Sequence, residues 1–258
     1  MKTLRGILGW AAAIGVFLAI VLGLLLLPLF GGRRRWDGVL RSLARGLVAC
    51  FGIRVETRGE APQPSSGGTV IVCNHVNFLD GFILYGHLPL HFRILEQKEH
   101  FSWPVWGYLS KRFGNIPLDQ SGGGGTARAL LASRHALAEG SSILVFPEAH
   151  RTRDGRIAGF YRGAFRLARS CEAPIVPVVI CEVWDVYRRG GSAATPGKME
   201  LEILPAWEPE LAASMDEKAL RGAVRGVMAA ALDEGRERLT RSSRDKDHRL
   251  APPTSGEP

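Results

Sequence analysis

The sequence lacks the short motifs that mark several common enzyme classes. It has no Gly-x-Ser-x-Gly turn of a serine hydrolase and no HExxH pair of a zinc protease. Its four cysteines show neither the C-x-x-C nor the Cys/His spacing of a metal site; they are Cys50, Cys73, Cys171 and Cys181. We interpret them as reduced core residues of a cytosol-facing domain, and we expect no metal and no cofactor.

No nucleotide-binding or nucleic-acid-binding motif is complete. Four glycines at 122–125 precede a predicted helix but lack the strand context and acidic partner of a dinucleotide site, so we interpret them as a loop. The run 191–198 has the outline of a P-loop, but its first gap is one residue too long and Met199 replaces Ser or Thr. We therefore expect no nucleic-acid partner.

Acidic residues are outnumbered by basic ones, 25 against 33, which leaves a net charge of +8. This excess favours anionic partners, namely nucleic acid, anionic lipid headgroups or phosphorylated substrates. Hydrophobic residues make up 46% of the 258 residues and charged residues 22%, a composition typical of a folded domain with short appendages. A long apolar run near the N-terminus favours lipid among these partners.

That run, Gly6 to Phe30, has 25 residues without a charge. As a helix it would be about 37 Å long, enough to cross a hydrocarbon core of about 30 Å. A cleaved signal peptide is disfavoured, because its apolar core should have only about 7 to 15 residues. We predict a transmembrane or membrane-embedded anchor over 1–32. Five arginines between positions 33 and 45 follow it, so the positive-inside rule places the body of the protein in the cytoplasm, at the cell (inner) membrane.

Residues 33–52 are predicted to form an amphipathic helix. Apolar residues recur at helical spacing from Trp36 to Phe51, with arginines between them. The pattern is typical of a helix that lies in the bilayer interface, and packing on the domain core explains it as well. Gly31-Gly32 would also allow the anchor and this helix to fold into a re-entrant hairpin.

Apolar, β-branched runs alternate with helical patterns over 53–239, which predicts a single α/β domain with a largely parallel or mixed sheet flanked by helices. The predicted strands are 53–57, 69–73, 92–95, 142–146, 175–181 and 199–204. The predicted helices are 79–87, 104–112, 126–139, 161–170 and 216–239. The tail 240–258 is charged and then rich in Pro and Ser, and it is predicted to be disordered.

The strand predicted over 69–73 ends at the polar pair Asn74-His75, and α/β proteins place their sites where a strand is followed by a helix. His75 and Asp80 are five positions apart, which is about 140° out of phase on a helix. They can meet only if His75 lies in the turn before the helix and Asp80 reaches back from its first turns. Asp80 would then accept from one ring nitrogen and leave the other as a base.

These residues resemble the NHxxxxD motif of the glycerolipid acyltransferases, the lysophosphatidate acyltransferase family. Three further blocks follow in the family's order. The second block contains Lys98-Glu99 and ends at Asp119, where Gln120 replaces the family's terminal Arg. The fourth resembles the apolar run 173–180.

The third block, 146–152, resembles the family's Phe-Pro-Glu-Gly-Thr-Arg-Ser motif. It retains Glu148 and Arg151 at the end of a predicted strand. Ala149 replaces the glycine, and it would be strained if the turn requires positive φ. We interpret His150 as an exposed loop residue.

The resemblance implies a membrane-bound O-acyltransferase that moves a fatty acyl group from acyl-CoA or acyl carrier protein to the hydroxyl of 1-acylglycerol 3-phosphate, giving phosphatidic acid. It implies that His75 is the general base and that Asp80 fixes its tautomer. The predicted substrate-binding residues are Asn74, Lys98, Glu148 and Arg151. Of these, Arg151 and Lys98 would neutralise the headgroup of the acceptor.

Two alternatives remain. Because Gln120 and Ala149 depart from the family pattern, the acceptor could be a lyso-ornithine lipid or another lysophospholipid. In a different class, the chain could be a membrane-tethered lipid-binding protein without turnover. The intact pair of His75 and Asp80 argues against that second alternative.

Overall fold

Strands and helices alternate along most of the chain in the computed structural model, which describes residues 2–30, 33–60, 67–121, 124–182 and 197–250. The strands are β1 (Ile53–Arg58), β2 (Val70–Cys73), β3 (Phe92–Gln97), β4 (Ile116–Leu118), β5 (Ser142–Val145), β6 (Ile175–Glu182) and β7 (Gly197–Ile203). The helices are α1 (Lys2–Phe30), α2 (Arg33–Cys50), α3 (Asp80–His87), α4 (Pro104–Phe113), α5 (Gly125–Ala138), α6 (Gly163–Ser170), α7 (Pro209–Ser214) and α8 (Glu217–Leu250). A short 3₁₀ helix, Lys98–Ser102, precedes α4.

The seven strands form one sheet in the order β1-β7-β6-β2-β5-β3-β4. Neighbouring strands are parallel except for β6 and β7, which are antiparallel. The prediction of an α/β domain with a largely parallel, mixed sheet is therefore confirmed. Because β2, β5 and β3 are adjacent and parallel, the loops after all three lie together at the carboxyl ends of the strands, which we call the carboxyl edge of the sheet.

Three short elements were not predicted from the sequence, one of them the 3₁₀ helix Lys98–Ser102. Strand β4 has three residues with Pro117 in the middle, and it lies at the edge of the sheet, where a residue without an N–H is tolerated. Helix α7 has six residues, too few to produce a recognisable period.

The helices cover the sheet in two layers. Helices α1 to α4 pack on one face and α5 to α8 on the other, each with its own apolar core. Along β2, Ile71 and Cys73 belong to the first core and Val70 and Val72 to the second. All four side chains are fully buried, as expected for a central parallel strand.

Helix α1 packs antiparallel to α2 and also contacts the domain. The rings of Trp10 and Phe51 are 5.1 Å apart, which brings the start of α1 to the end of α2. Farther along α1, Phe17 lies 6.3 Å from the ring of Phe82 in α3. Within the described residues, one helix is long and apolar enough to cross a membrane, over Leu8–Leu26, and only 17% of that stretch is buried.

Helix α2 buries its apolar stripe. Leu40, Ala44 and Leu47 are all less than 5% exposed and belong to the first core. Packing on the domain core, the second of the two explanations of the amphipathic pattern, therefore describes these residues.

Two of the arginines that follow the anchor hold the end of α3. Arg41 donates from Nη1 to the carbonyl of Tyr85 at 3.0 Å, and Arg45 donates from Nη1 to the carbonyl of Gly86 at 3.0 Å. The last carbonyls of a helix have no partner within it and carry partial negative charge, so guanidinium groups stabilise them. These bonds fix the helix on which Asp80 lies.

Helix α8 continues to Leu250, past Thr240, where the sequence predicted that a disordered tail begins. The residues after Thr240 include Arg and Lys, which favour helix even though they are fully charged. Residues 251–258, the Pro- and Ser-rich part of the predicted tail, and the glycine pair 31–32 lie outside the described residues.

Candidate active site

His75 lies in the loop between β2 and α3, at the carboxyl edge of the sheet. Its Nδ1 is 2.7 Å from Oδ2 of Asp80, the first residue of α3. The two side chains meet in the way that the spacing predicted, with His75 before the helix and Asp80 reaching back. The imidazole is 25% exposed and the carboxylate 1%, so one side of the ring faces the solvent while its partner is buried.

Backbone amides of the same loop orient Asp80. Its Oδ2 also accepts from the amide of Val76 at 2.7 Å, and its Oδ1 accepts from the amide of Asn77 at 3.2 Å. The loop thus wraps around the carboxylate at the start of a helix, where negative charge is favoured. A carboxylate oxygen accepts hydrogen bonds, so Nδ1 of His75 carries the proton and Nε2 is left as the basic nitrogen.

The segment after β5 fixes His75 from the other side. The ring of Phe146 stacks on the imidazole, with centroids 4.2 Å apart and planes 22° apart. The amide of His75 donates to Oε1 of Glu148 at 3.0 Å, and its carbonyl accepts from the amide of Thr152 at 2.8 Å. The ring and the backbone of His75 are therefore both held before any substrate binds.

Glu148 connects two loops. Its Oε1 accepts from His75 and its Oε2 accepts from the amide of Ala158 at 2.8 Å, and the residue is only 4% exposed. Burial raises the pKa of Glu148, while the hydrogen bonds from the amides of Ala158 and His75 lower it. These contacts support a role in holding His75, and the predicted contact of Glu148 with substrate stays a prediction.

Asn74 contacts the neighbouring strand β6. Its Nδ2 donates to the carbonyl of Ile180 at 3.1 Å, and its Oδ1 accepts from the amide of Ile180 at 2.8 Å. The residue is 4% exposed. We predicted that Asn74 binds substrate, but its amide is engaged with strand β6, since β6 lies directly beside β2 in the sheet.

Ala149 has a φ of 60°, in the left-handed region. The turn after β5 therefore requires the conformation for which the family motif has glycine, and alanine is strained there by roughly 1–2 kcal/mol. His150 is exposed, as expected. Arg151 is exposed in the same loop, without an ion-pair partner among the residues described.

Lys98 follows β3, at the same sheet edge as His75 but two strands away, which corresponds to roughly 10 Å at about 4.8 Å per strand. Its Nζ is 2.7 Å from Oδ2 of Asp119. The hydrogen bonds from Lys98 and Ser121 lower the pKa of Asp119. The structure thus brings the second block to the site and shows Lys98 already paired with a carboxylate.

Cys73 directly precedes this site and is a candidate nucleophile to consider. Its side chain is fully buried, and this burial, with the nearby charge of Asp80, raises the pKa of the thiol well above its usual value. A neutral, buried thiol is a poor nucleophile. All four cysteines are unpaired. Within the residues that the structure describes, no group of three His, Cys, Asp or Glu side chains could hold a metal ion.

Comparison with known proteins identifies the family. The family model described as Acyltransferase matches residues 54–181. The chain is 30% identical over 197 residues to 1-acyl-sn-glycerol-3-phosphate acyltransferase alpha of Ovis aries, which covers 76% of this chain and 69% of that protein. The chain belongs to the glycerolipid acyltransferase family. The chain is also 29% identical over 197 residues to the Homo sapiens protein of the same name, and the match covers 76% of this chain and 70% of that protein.

The fold of this acyltransferase matches a solved structure as well. The crystal structure of the 1-acyl-sn-glycerophosphate acyltransferase PlsC of Thermotoga maritima superposes with a TM-score of 0.75. It covers 91% of this chain and 97% of the other, at 20% sequence identity. At that identity the likeness shows the shared fold. The relatives also exclude the non-catalytic alternative, because the chain is an acyltransferase by family.

Several residues of the acyltransferase site were not predicted from the sequence. Phe146 was noted only as part of the third block, although its ring stacks on the imidazole of His75. Thr152 binds the backbone of His75 through its amide, which no side-chain pattern reveals. Outside the site, Glu182, a buried acid at the end of β6, was also not singled out, although an acidic residue ending an apolar strand was a visible signal.

Proposed function

We propose that this acyltransferase moves a fatty acyl group from acyl-CoA or acyl carrier protein to the hydroxyl of 1-acylglycerol 3-phosphate, with His75 as general base. The observation that carries the proposal is the 2.7 Å contact between Nδ1 of His75 and Asp80. It leaves Nε2 as the basic nitrogen of a ring that is 25% exposed, so the ring is open to an acceptor hydroxyl. The named activity of the relatives supports the choice of acceptor.

The reaction needs one proton transfer in each direction. Nε2 takes the hydroxyl proton as the oxygen attacks the thioester carbonyl, and Asp80 stabilises the imidazolium that forms. The new C–O bond forms, the C–S bond breaks, and the imidazolium returns its proton to the departing thiolate. The products are the diacyl lipid and the free thiol of the donor.

Two cations are available for the phosphate of the acceptor. Arg151 is exposed next to Thr152, whose amide binds the backbone of His75. Its guanidinium can bind phosphate through two parallel hydrogen bonds. Lys98 follows β3, but it is already ion-paired with Asp119. We therefore assign the larger part of phosphate binding to Arg151. Gln120, in place of an arginine, leaves this region one cation short of the family pattern.

We propose that α1 anchors the acyltransferase in the cell (inner) membrane, with the site facing the cytoplasm. The exposed face of α1 is apolar and includes Leu18 and Leu22. Phe78, in the loop between His75 and Asp80, and Trp103, before α4, are also exposed. This surface supports a site that opens at the bilayer, where both lipid substrates partition. The contacts of α1 with α2 and α3 favour the re-entrant hairpin over an isolated span.

The anchor can be tested by flotation with lipid vesicles. The double substitution Leu18→Glu and Leu22→Glu should abolish flotation, because it places two charges in the hydrocarbon region. Leu131→Glu, at an exposed position of α5, is the matched control and should float like the wild type. Flotation of the double variant would refute the anchor.

The activity can be tested by thiol release from acyl-CoA, with and without lysophosphatidate. We expect release that requires the acceptor; release without it would indicate a thioesterase instead. His75→Ala should lower the rate by roughly 10²- to 10⁴-fold, the usual contribution of a general base. His135→Ala, at an exposed position of α5, is the control. A panel with lyso-ornithine lipid and other lysophospholipids, analysed by mass spectrometry, decides the acceptor.

A further inference from the structure

Glu182, the last residue of β6, has a carboxyl group that the proposed mechanism does not use. Its side chain is fully buried, at 0% exposure. Neither carboxylate oxygen has a hydrogen-bond partner among the described residues. A buried carboxylate without donors is strongly disfavoured as an anion, so the carboxyl group of Glu182 is protonated in the folded protein.

The position of Glu182 in the sheet brings it behind the site. Strand residues alternate between faces, and Glu182 shares its face with Ile180, two positions earlier, and with its cross-strand partner Met199. Both belong to the core that lies under α3. Asp80 begins α3, so the buried acid and the catalytic carboxylate lie on the same side of the sheet.

The charged groups around Glu182 come from two helices. The negative charge of Asp80, at the start of α3, acts on it from the same side of the sheet. From α8, Nε of Arg236 donates to the backbone carbonyl of Glu182 at 3.2 Å. On β7, Glu200 lies opposite Cys181, the residue before Glu182, and is paired with Arg238 at 3.0 Å. Burial, and then the negative charge of Asp80, raise the pKa of Glu182 to about 8, and Arg236 lowers it less.

We propose that Glu182 is a positioning residue for acyl transfer: its neutral carboxyl group lets Asp80 remain bonded to His75, and its ionisation disrupts that contact. This inference rests on the proposed roles of His75 and Asp80. Oδ2 of Asp80 holds both Nδ1 of His75 and the amide of Val76. A second negative charge in the same buried region repels Asp80, and the imidazole then loses the partner that fixes its tautomer.

The test compares the wild-type acyltransferase with Glu182→Gln between pH 6 and 9.5, with the full chain in lipid vesicles. Glutamine has the shape of the neutral acid but cannot ionise. We expect kcat/KM of the two proteins to agree within about threefold at pH 6.5. Above pH 8 the wild type should lose activity tenfold per pH unit, about 30-fold by pH 9.5, and the variant should not. Glu210→Gln, an exposed acid in α7, should follow the wild type.

Two results would overturn the proposal. One is the same alkaline decline in Glu182→Gln as in the wild type. The other is a large loss of activity in the variant at every pH while its melting curve remains that of a folded protein. Either result would show that Asp80 does not depend on the neutral form of Glu182.

A measurement without substrate separates this inference from the proposed function. The melting temperature of the wild type should fall relative to that of Glu182→Gln as the pH rises from 5 to 8. In the Asp80→Asn background the fall should occur at lower pH, because the charge that helps to keep Glu182 protonated is gone. Equal pH dependence in the wild type and Glu182→Gln would refute the neutral acid, even if the protein transferred no acyl group at all.

Discussion

The substitution Asn74→Ala tests whether Asn74 holds the sheet together or binds substrate. In the structure its side-chain amide makes two hydrogen bonds to the backbone of Ile180, at 2.8 and 3.1 Å. Alanine removes both partners and leaves a buried N–H and a buried C=O of β6 unsatisfied. Each such group costs about 1–3 kcal/mol, so we expect a loss of about 4 kcal/mol in the free energy of unfolding.

The assay is thermal unfolding followed by tryptophan fluorescence, with acyl transfer measured in parallel. For a domain of this size 1 kcal/mol shifts Tm by about 2–4 °C, so Asn74→Ala should melt about 8–16 °C lower than the wild type. Asn115→Ala is a graded control. It removes one hydrogen bond, from the amide of Ile94 to Oδ1 at 3.0 Å at a partly buried position, and it should cost about 1 kcal/mol.

The substrate-binding role makes the opposite prediction. If Asn74 contacts the acceptor, Asn74→Ala should melt within about 2 °C of the wild type, less than 1 kcal/mol lost. Its KM for the acceptor should then rise. A normal melting temperature together with a raised KM would refute the structural role that the hydrogen bonds to Ile180 indicate for Asn74.

Three further predictions concern stability. Ala149→Gly should stabilise the protein by about 1 kcal/mol, seen as a rise in Tm, because it relieves the strain of a non-glycine residue at φ 60°. Gly68→Ala should destabilise it, because the new Cβ would lie 2.1 Å from the carbonyl oxygen of Ser141; Gly163→Ala, with no atom within 4 Å, is the control. For Glu182 the folded-state pKa of about 8 is higher than the ordinary value of 4.5, so the folded state binds the extra proton. The stability due to that proton is fully present below pH 4.5 and is lost as the pH rises to 8. The loss is on the order of 5 kcal/mol at about 1.4 kcal/mol per pH unit, and denaturant titration at several pH values should show it in the wild type and not in Glu182→Gln.

Much of the fold followed from local patterns in the sequence. The six longer strands were predicted because buried parallel strands are short continuous runs of apolar, β-branched residues, and the helices because burial imposes a period of 3.6 on them. The contact between His75 and Asp80 was predictable because the two residues lie within six positions of each other, in one loop and the start of the next helix. Strand β4 was missed because three residues around Pro117 are too short to produce a period.

Contacts between distant segments were beyond these patterns. Asn74 binds a residue 106 positions away, and Glu148 binds the backbone of His75 across 73 positions. Both contacts depend on the strand order, in which β6 and β5 flank β2. An apolar run in the sequence indicates that a strand is buried, but it does not indicate which strand lies beside it in the sheet.

The sequence by itself determined the fold class, the apolar first helix and the histidine–aspartate pair, because these depend on residues that are neighbours along the chain. The tertiary structure alone decided that Asn74 bonds to β6, that Glu148 bonds to the backbone of His75, and that Glu182 is buried. Those roles arise where the sheet brings the ends of three separate strands together, and hydrogen bonds and charges act over distances in space rather than along the chain.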